Sequence, residues 1–467
     1  MRYSLALLGS AIMANAFPQV MDISNKMMEK RDAAFYQAVH ERSVEEKRQL
    51  PSTTAAQTYS KSRKNCGVVD CLVFNANEQF VSTTGQYAYA SPSAGQIRGP
   101  CPGLNAAANH GYLDRSGVQT METTINGLGS LYGMSVDLAG FLAAYAIIFD
   151  GDPVLGTWSI GGPPPSDTVT DAILGQGQGI TWAHNIYEGD TSIGRSDAYL
   201  NNGDAHSLNI DRFKSAYAAT AAAAGDNSVG ADRYTLDAFA QNFGEKVQES
   251  ISTNPYYFAP VFSTTLVAPA AYNFVINFMS NHTADEPNGY FDGAMFKEFF
   301  AVSGDTPDDF KWLPGQERIP DNWYRRTSSN QYNALNVFTD LLPNWAAYPD
   351  TFRLGGNTNG VNTYGGVSLT DLTGGVFTLS NLVTFNNGVP DASNAACFFS
   401  QAIQQGIPDP ANLPLAQVAP IADMVNKYIK TIVPSGFDCP IVDKYDQTLF
   451  NQYPGHTYRP TGPATNY

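Results

Sequence analysis

The chain holds 467 residues with a formal net charge of −16, and 43% of its residues are hydrophobic. That acidic balance argues against a nucleic-acid groove, because phosphate binding calls for clustered Lys and Arg. The length accommodates either two or three average domains or one large one, and the apolar fraction permits a sizeable core without metals or crosslinks.

Arg2, the apolar run Leu5–Met13 and Ala14-Asn15-Ala16 read as an export signal cleaved after Ala16, with a buried amino-terminal helix as the other reading. No later run reaches the roughly 20 uninterrupted apolar residues that cross a bilayer, which predicts a soluble, secreted protein with no membrane partner. Residues 17–73 are charged and then Ser/Thr-rich. They read as a partly helical arm wrapping the body, or as a cleaved or mobile segment. From Phe74 to Gly99 the chain is loop-rich, broken by Gly85, Pro92, Gly95 and Gly99.

Cys101 stands between Pro100 and Pro102 at the opening of a predicted helix with a compact apolar surface of Leu104, Ala106, Ala107 and Ala108. Pro102 suits the first turn, where a missing N–H costs nothing. The free amides of that turn and the positive end of the helix dipole favour negative sulfur. On residue types alone the thiol is structural, free or a metal ligand, since one Cys has no ligand spacing.

A helix is expected over Ser135–Phe149, where Leu138, Phe141, Leu142, Tyr145, Ile148 and Phe149 recur at helical spacing before Asp150-Gly151-Asp152-Pro153. Gly161-Gly162-Pro163-Pro164-Pro165 is a connector. Within His184–Tyr199, Glu188, the Gly189 carbonyl and Ser192 form a tight turn of hard oxygen donors of the kind Mg²⁺ accepts. The plainer reading is an Asp190 or Thr191 helix cap with Arg195 at the surface. Further helices are expected over Ser207–Ala224, Tyr234–Val247, Ala270–Phe278, 292–301 and Ile421–Ile432, with loops or short hairpins over Arg353–Gly388. Tyr187, Phe262, Phe274 and Phe278 are singly ordinary core residues and together the wall of an apolar channel. Asn281-His282-Thr283 is a glycosylation sequon flanked by polar residues.

Pro100-Cys101-Pro102-Gly103-Leu104-Asn105, continuing into Asn109-His110-Gly111-Tyr112-Leu113, resembles the haem-binding motif of the secreted fungal haem-thiolate peroxidases, the group of chloroperoxidase and the unspecific peroxygenases. The resemblance implies haem b with Cys101 as axial iron ligand. It further implies Mg²⁺ beside a haem propionate, held by Glu188, Gly189 and Ser192, which match the family's Glu-Gly-Asp-x-Ser motif position by position. Gln316-Glu317-Arg318-Ile319-Pro320-Asp321-Asn322-Trp323-Tyr324-Arg325-Arg326 and Tyr453-Pro454-Gly455 extend the similarity over about residues 74–455, leaving 456–467 as a tail. The implied fold is mainly α, a single large helical domain with long loops and minor β hairpins, working as a monomer or homodimer. With Cys101 held by iron, four cysteines remain, and the expected pairing is Cys66 with Cys71 and Cys397 with Cys439. The family's carboxy-terminal disulfide supports the second pair only.

One departure stands out. Peroxygenase-like members place an arginine and, seven positions later, a glutamate over the iron, around an Ala-Tyr pair. Anchoring on Ala271-Tyr272 puts Val267 and Phe274 there, and neither moves a proton. The base then comes from His282, Asp285 or Glu286 if the chain after Phe278 folds back over the haem, though all three adjoin the sequon and read more simply as surface residues; or the alignment slips, or the pocket lacks an efficient base. The halogenating branch's histidine after the motif glutamate is also absent, since Gly189 stands there. The implied activity is H₂O₂-driven oxidation or oxygenation of a small hydrophobic or aromatic substrate, with a weakly active haem-binding protein as the alternative.

Overall fold

In the computed structural model, residues 33–50, 53–68, 70–164, 177–406, 415–433, 437–443 and 445–458 are described. The expected signal peptide and the arm through residue 32 lie outside the described residues, as does the tail beyond residue 458. The rest of the arm forms α1 (Ala33–Arg48) and α2 (Thr53–Ser62), both laid on the body.

The cysteine helix is α3 (Pro102–Asn109), followed by α4 (Met121–Tyr132) and α5 (Val136–Phe149). Thr120 and Thr123 close a reciprocal capping box at the start of α4, and Gly133 ends it at φ 67°. Helix α5 buries nearly every residue from Leu138 to Phe149, so it runs through the core. The chain comes close enough there that a Cβ on Gly140 would meet the Tyr428 ring at 2.3 Å. Next come α6 (Ile210–Ala218), α7 (Leu236–Thr253), α8 (Ala268–Met279) and α9 (Gly293–Phe299). Helix α10 (Ala334–Ala347), capped by the Asn333/Asn336 box, α11 (Ser393–Gly406) and α12 (Leu415–Met424) complete the set used below. Helix α8 packs between α7 and α10, and α10 in turn carries α2 on another face.

Strands are short. β1 (Val118–Thr120) pairs antiparallel with β2 (Thr157–Ser159). In a three-stranded sheet β4 (Gly355–Asn357) sits between β3 (Phe258–Ala259) and β5 (Tyr364–Gly366), all antiparallel. This is the mainly α architecture with minor hairpins that the sequence implies. Cys66 is bonded to Cys71, and Cys397 on α11 to Cys439.

Several boundaries differ from expectation. The Ser207–Ala224 helix is confined to Ile210–Ala218. Asn209 caps its start by accepting from the amides of Asp211 and Arg212, and Ala219 leaves helical geometry at ψ 56°. The alanine run beyond it forms turns, tied by the Ala221 amide to the Arg233 carbonyl. The helix expected to end at Val247 runs on to Thr253, since its buried face continues through Ser250 and Ile251. The helix expected at Ile421 begins at Leu415 and passes through a π turn at Val425–Ile429 into a 3₁₀ turn ending at Ile432. The first tail residues are docked: the His456 and Tyr458 rings pack against Phe258 and His184 respectively.

Candidate active site

Cys101 is the N-cap of α3, in extended geometry at φ −90°, ψ 111°, with Pro102 opening the helix. Its approach is locked. The Asn105 side chain accepts from the Gly99 amide and donates to the Gly99 carbonyl, both at 2.9 Å. A Cβ on Gly99 would lie 2.1 Å from the Ile160 carbonyl oxygen, so only glycine fits. On the other side the Tyr132 hydroxyl donates to the Gly103 carbonyl at 2.8 Å. The amides of Leu104 and Gly103 favour the ionised sulfur without closing a capping hydrogen bond. Burial outweighs them and pushes the thiol above its ordinary range, so the helix start alone does not make Cys101 a thiolate.

Cys101 opens onto a cleft enclosing about 1390 Å³ of atom-free space, part of it open to solvent. Pro100 and Pro102 lie beside it, and Glu188, Gly189 and Ser192 line the same space. The two motifs are 87 positions apart at Cys101 and Glu188 (188 − 101), and the fold brings them to one cleft. Tyr187, Val267, Phe274 and Phe278 line the cleft as well. Phe262 does not. It stands one layer back, stacked on Tyr145 at 3.6 Å and edge-on to Tyr187, and borders a smaller apolar cavity that also touches Val267 and Phe274.

The oxygen-donor turn is built from below. The Glu188 carbonyl accepts from the Asn185 amide at 2.7 Å, with Asn185 at φ 63°, and the Glu188 carboxylate meets His184 Nδ1 at 2.8 Å. Gly189 is pressed so closely against α8's leading π turn that a Cβ would lie 2.4 Å from Thr264 Oγ1 and 3.1 Å from Ser263 Oγ. Among the described residues both hydroxyls are buried without a hydrogen-bond partner, and Ser263 lines the cleft. π turns of this kind recur at functional sites.

Asp190 is not a helix cap and Arg195 is not at the surface. Asp190 and Asp197 share the Asn254 side-chain amide at 3.0 and 3.1 Å, and Arg212 meets Asp197 at 2.9 Å. Burial pushes Asp190 well up, the Asp197 charge adding to it. Burial also opposes ionisation of Asp197, but Arg212 and hydrogen bonds hold that group below the usual carboxylate range. The Tyr272 hydroxyl donates to the Thr191 carbonyl at 3.0 Å, fastening α8 to this turn.

None of His282, Asp285 and Glu286 lines the cleft. His282 Nδ1 donates to the Pro287 carbonyl at 2.9 Å, and burial lowers its pKa to about 4. Glu286 faces Arg233 at 3.6 Å. They lie beyond the end of α8, away from the Val267 and Phe274 wall, because the chain after Met279 turns to pair Asn281 with Tyr290 instead of folding back. Asn281 is half-buried, its side chain accepting from the Tyr324 amide and reaching the Tyr290 hydroxyl. Sequence reasoning missed Arg195, Glu317, Ser263 and His184. Only His184, one helical turn's spacing before Glu188, left a local signal.

The helical body brings the cysteine helix and the oxygen-donor turn to one cleft, and the sequence comparison supplies the class. The family described as "Peroxidase, family 2" matches residues 87–328, and the chain belongs to that family as a peroxide-using oxidoreductase. It is 33% identical over 410 residues to the dothistromin biosynthesis peroxidase dotB of Dothistroma septosporum, covering 87% of this chain and 92% of that protein. It is 32% identical over 399 residues to the aromatic peroxidase fscJ of Fusarium equiseti, covering 82% and 87%. An aromatic peroxygenase of Coprinellus radians is 33% identical over 222 residues, covering 46% of this chain and 78% of that protein.

Proposed function

We propose that this chain is a secreted haem-thiolate enzyme that uses H₂O₂ to oxidise or oxygenate a small hydrophobic or aromatic organic substrate. The observation that carries the reading is Cys101 opening onto the same large cleft as Glu188, Gly189 and Ser192. The residues fit the group: a half-buried Cys101 lining the cleft, a glycine at 103 whose Cβ would crowd Met279 and Tyr132 at 3.3 Å, apolar walls, and a Ser263 hydroxyl without a hydrogen-bond partner among the described residues. When bound, haem supplies the peroxide activation and the oxidising power. Cys101 would hold the iron, and Glu188, the Gly189 carbonyl and Ser192 would hold Mg²⁺ beside a propionate.

The remaining work belongs to the walls. Tyr187, Val267, Phe274 and Phe278 exclude water and bind apolar substrate by burial. Val267 and Phe274 hold no proton, which supports the second reading of a haem protein with weak peroxygenation. Export after Ala16 and a glycan at Asn281 complete the proposal. The test is the absorption spectrum of reduced, CO-treated protein. A haem-thiolate band that Cys101→Ala abolishes, together with stoichiometric iron, is expected. A loaded wild type lacking that band would overturn the reading.

A further inference from the structure

The Gln316–Arg326 stretch takes no part in the cleft wall, yet the fold carries its glutamate behind the cysteine. Helix α3 does this with its own far end: Asn109 Nδ2 donates to the carbonyls of Gly315 and Glu317, both at 2.8 Å, and His110 Nε2 accepts from the Ile319 amide. Glu317 is wholly buried. Facing it at 3.8 Å is the guanidinium of Arg195, 3% exposed, which lines the cleft and whose Nε donates to the Pro100 carbonyl at 3.0 Å. The Arg195 guanidinium also lies 5.7 Å from the Trp312 ring centroid. Thus a buried cation is bonded to the residue immediately before Cys101, and a buried carboxyl stands behind that cation, its ionised form opposed by burial and favoured by the Arg195 charge.

We propose that Arg195 and Glu317 are positioning residues that set the electron donation of Cys101 to a bound haem iron, acting as opposed charges beside the Pro100–Cys101 segment. This rests on the haem-thiolate reading above. Arg195 draws negative charge onto the sulfur and away from the metal, while Glu317 offsets it in a low-dielectric setting where both are felt strongly. Arg98 adds a third charge facing Glu317, held in place by the Asn109 side chain and the Ile97 and Arg115 carbonyls. Asn105 and the Leu104 and Gly103 amides complete the polar groups around the pair and the sulfur.

The experiment is a charge cycle on the haem-loaded protein, read as the Fe(III)/Fe(II) midpoint potential and the C–O stretching frequency of the CO complex, neither of which is a turnover measurement. Glu317→Gln removes the negative charge behind Arg195 and is expected to raise both. Arg195→Gln removes the positive charge bonded to the Pro100 carbonyl, leaving only Arg98 facing Glu317, and is expected to lower both, with the double variant returning towards wild type. Arg195→Lys, which keeps the charge but loses the guanidinium fork, is expected to stay near wild type. Shifts of the same sign in both single variants, or no shift, would overturn the inference. If Arg195→Gln fails to fold, the near-isosteric Glu317→Gln decides by its sign alone. A loaded wild type without the thiolate band would sink the haem-thiolate reading. A normal wild-type band with unmoved variants would sink this inference only.

Discussion

Under the proposed function, Val267 and Phe274 limit how fast the cleft can work. They sit seven positions apart along the π turn and α8, on one helical face, and both line the cleft. Where the peroxygenase-like relatives are expected to carry arginine and glutamate, this chain carries two groups that only exclude water. Installing the pair as Val267→Arg with Phe274→Glu is expected to raise the second-order rate for H₂O₂ by about 10², the lower end of what a positioned acid–base group contributes. Phe274→Glu alone should gain less and melt earlier, because a half-buried carboxylate without its partner is costly. Initial rates on an aromatic probe at limiting peroxide check both outcomes. An unchanged rate in a folded, loaded double variant would mean that another group already moves the proton. The Val267 and Phe274 placement was read in sequence from the Ala271-Tyr272 anchor, and both side chains line the cleft. Arg195 and Glu317 were not, since they are 122 positions apart (317 − 195) and no local pattern announces that two loops will bury opposite charges together.

At the scale of elements, the crosslinks differ in what they constrain. The Cys397–Cys439 bond spans a separation of 42 residues and the Cys66–Cys71 bond one of 5. Chain entropy alone then assigns about 4 kcal/mol to the first and about 2 kcal/mol to the second. Replacing each pair by serine should lower the denaturant midpoint in that order, measured with the other pair intact. An equal loss would show that packing of the short loop, where Asp340 closes on Gly67, outweighs entropy. The helices most legible in sequence were those with strong local signals. Helix α5 was read to within a residue of its start because an apolar stripe is followed by Asp150-Gly151-Asp152-Pro153. The alanine run after Ala218 misled for the opposite reason: alanine favours a helix intrinsically but offers no large apolar face to bury, and an inter-loop hydrogen bond to Arg233 decided the backbone.

For the whole molecule, the question is how firmly the arm belongs to the body. Arg63, just past α2, donates to the Asp340 carbonyl at 2.7 Å and also reaches the Asn344 side chain, deep between α2 and α10. Helix α1 is held more lightly, by Arg42 on Asp371 at 2.7 Å, by Glu46 accepting the Leu369 and Thr370 amides at 3.0 Å, and by His40 Nδ1 accepting the Gly366 amide at 2.7 Å. That last bond requires a neutral His40 with a bare Nδ1. Burial, reinforced by Lys47 and Arg353 and opposed by Glu41, lowers its pKa below 6.5. The unfolded arm therefore takes up a proton first as pH falls through about 6.5, and docking weakens over that window. Glu46 works the other way just above its ordinary range, because burial raises its pKa. Lys47, lowered to about 7 by burial with Arg353 adding to it, acts at higher pH, docking strengthening as pH rises above 7. His40→Phe separates the three. Hydrogen-exchange protection of α1, corrected for intrinsic rate, should fall between pH 6.5 and 5 in wild type by the equivalent of about 1 kcal/mol, the worth of one neutral hydrogen bond, and should fall less in the variant. Equal pH slopes in the two proteins would assign the arm's hold to α2 and Arg63 instead.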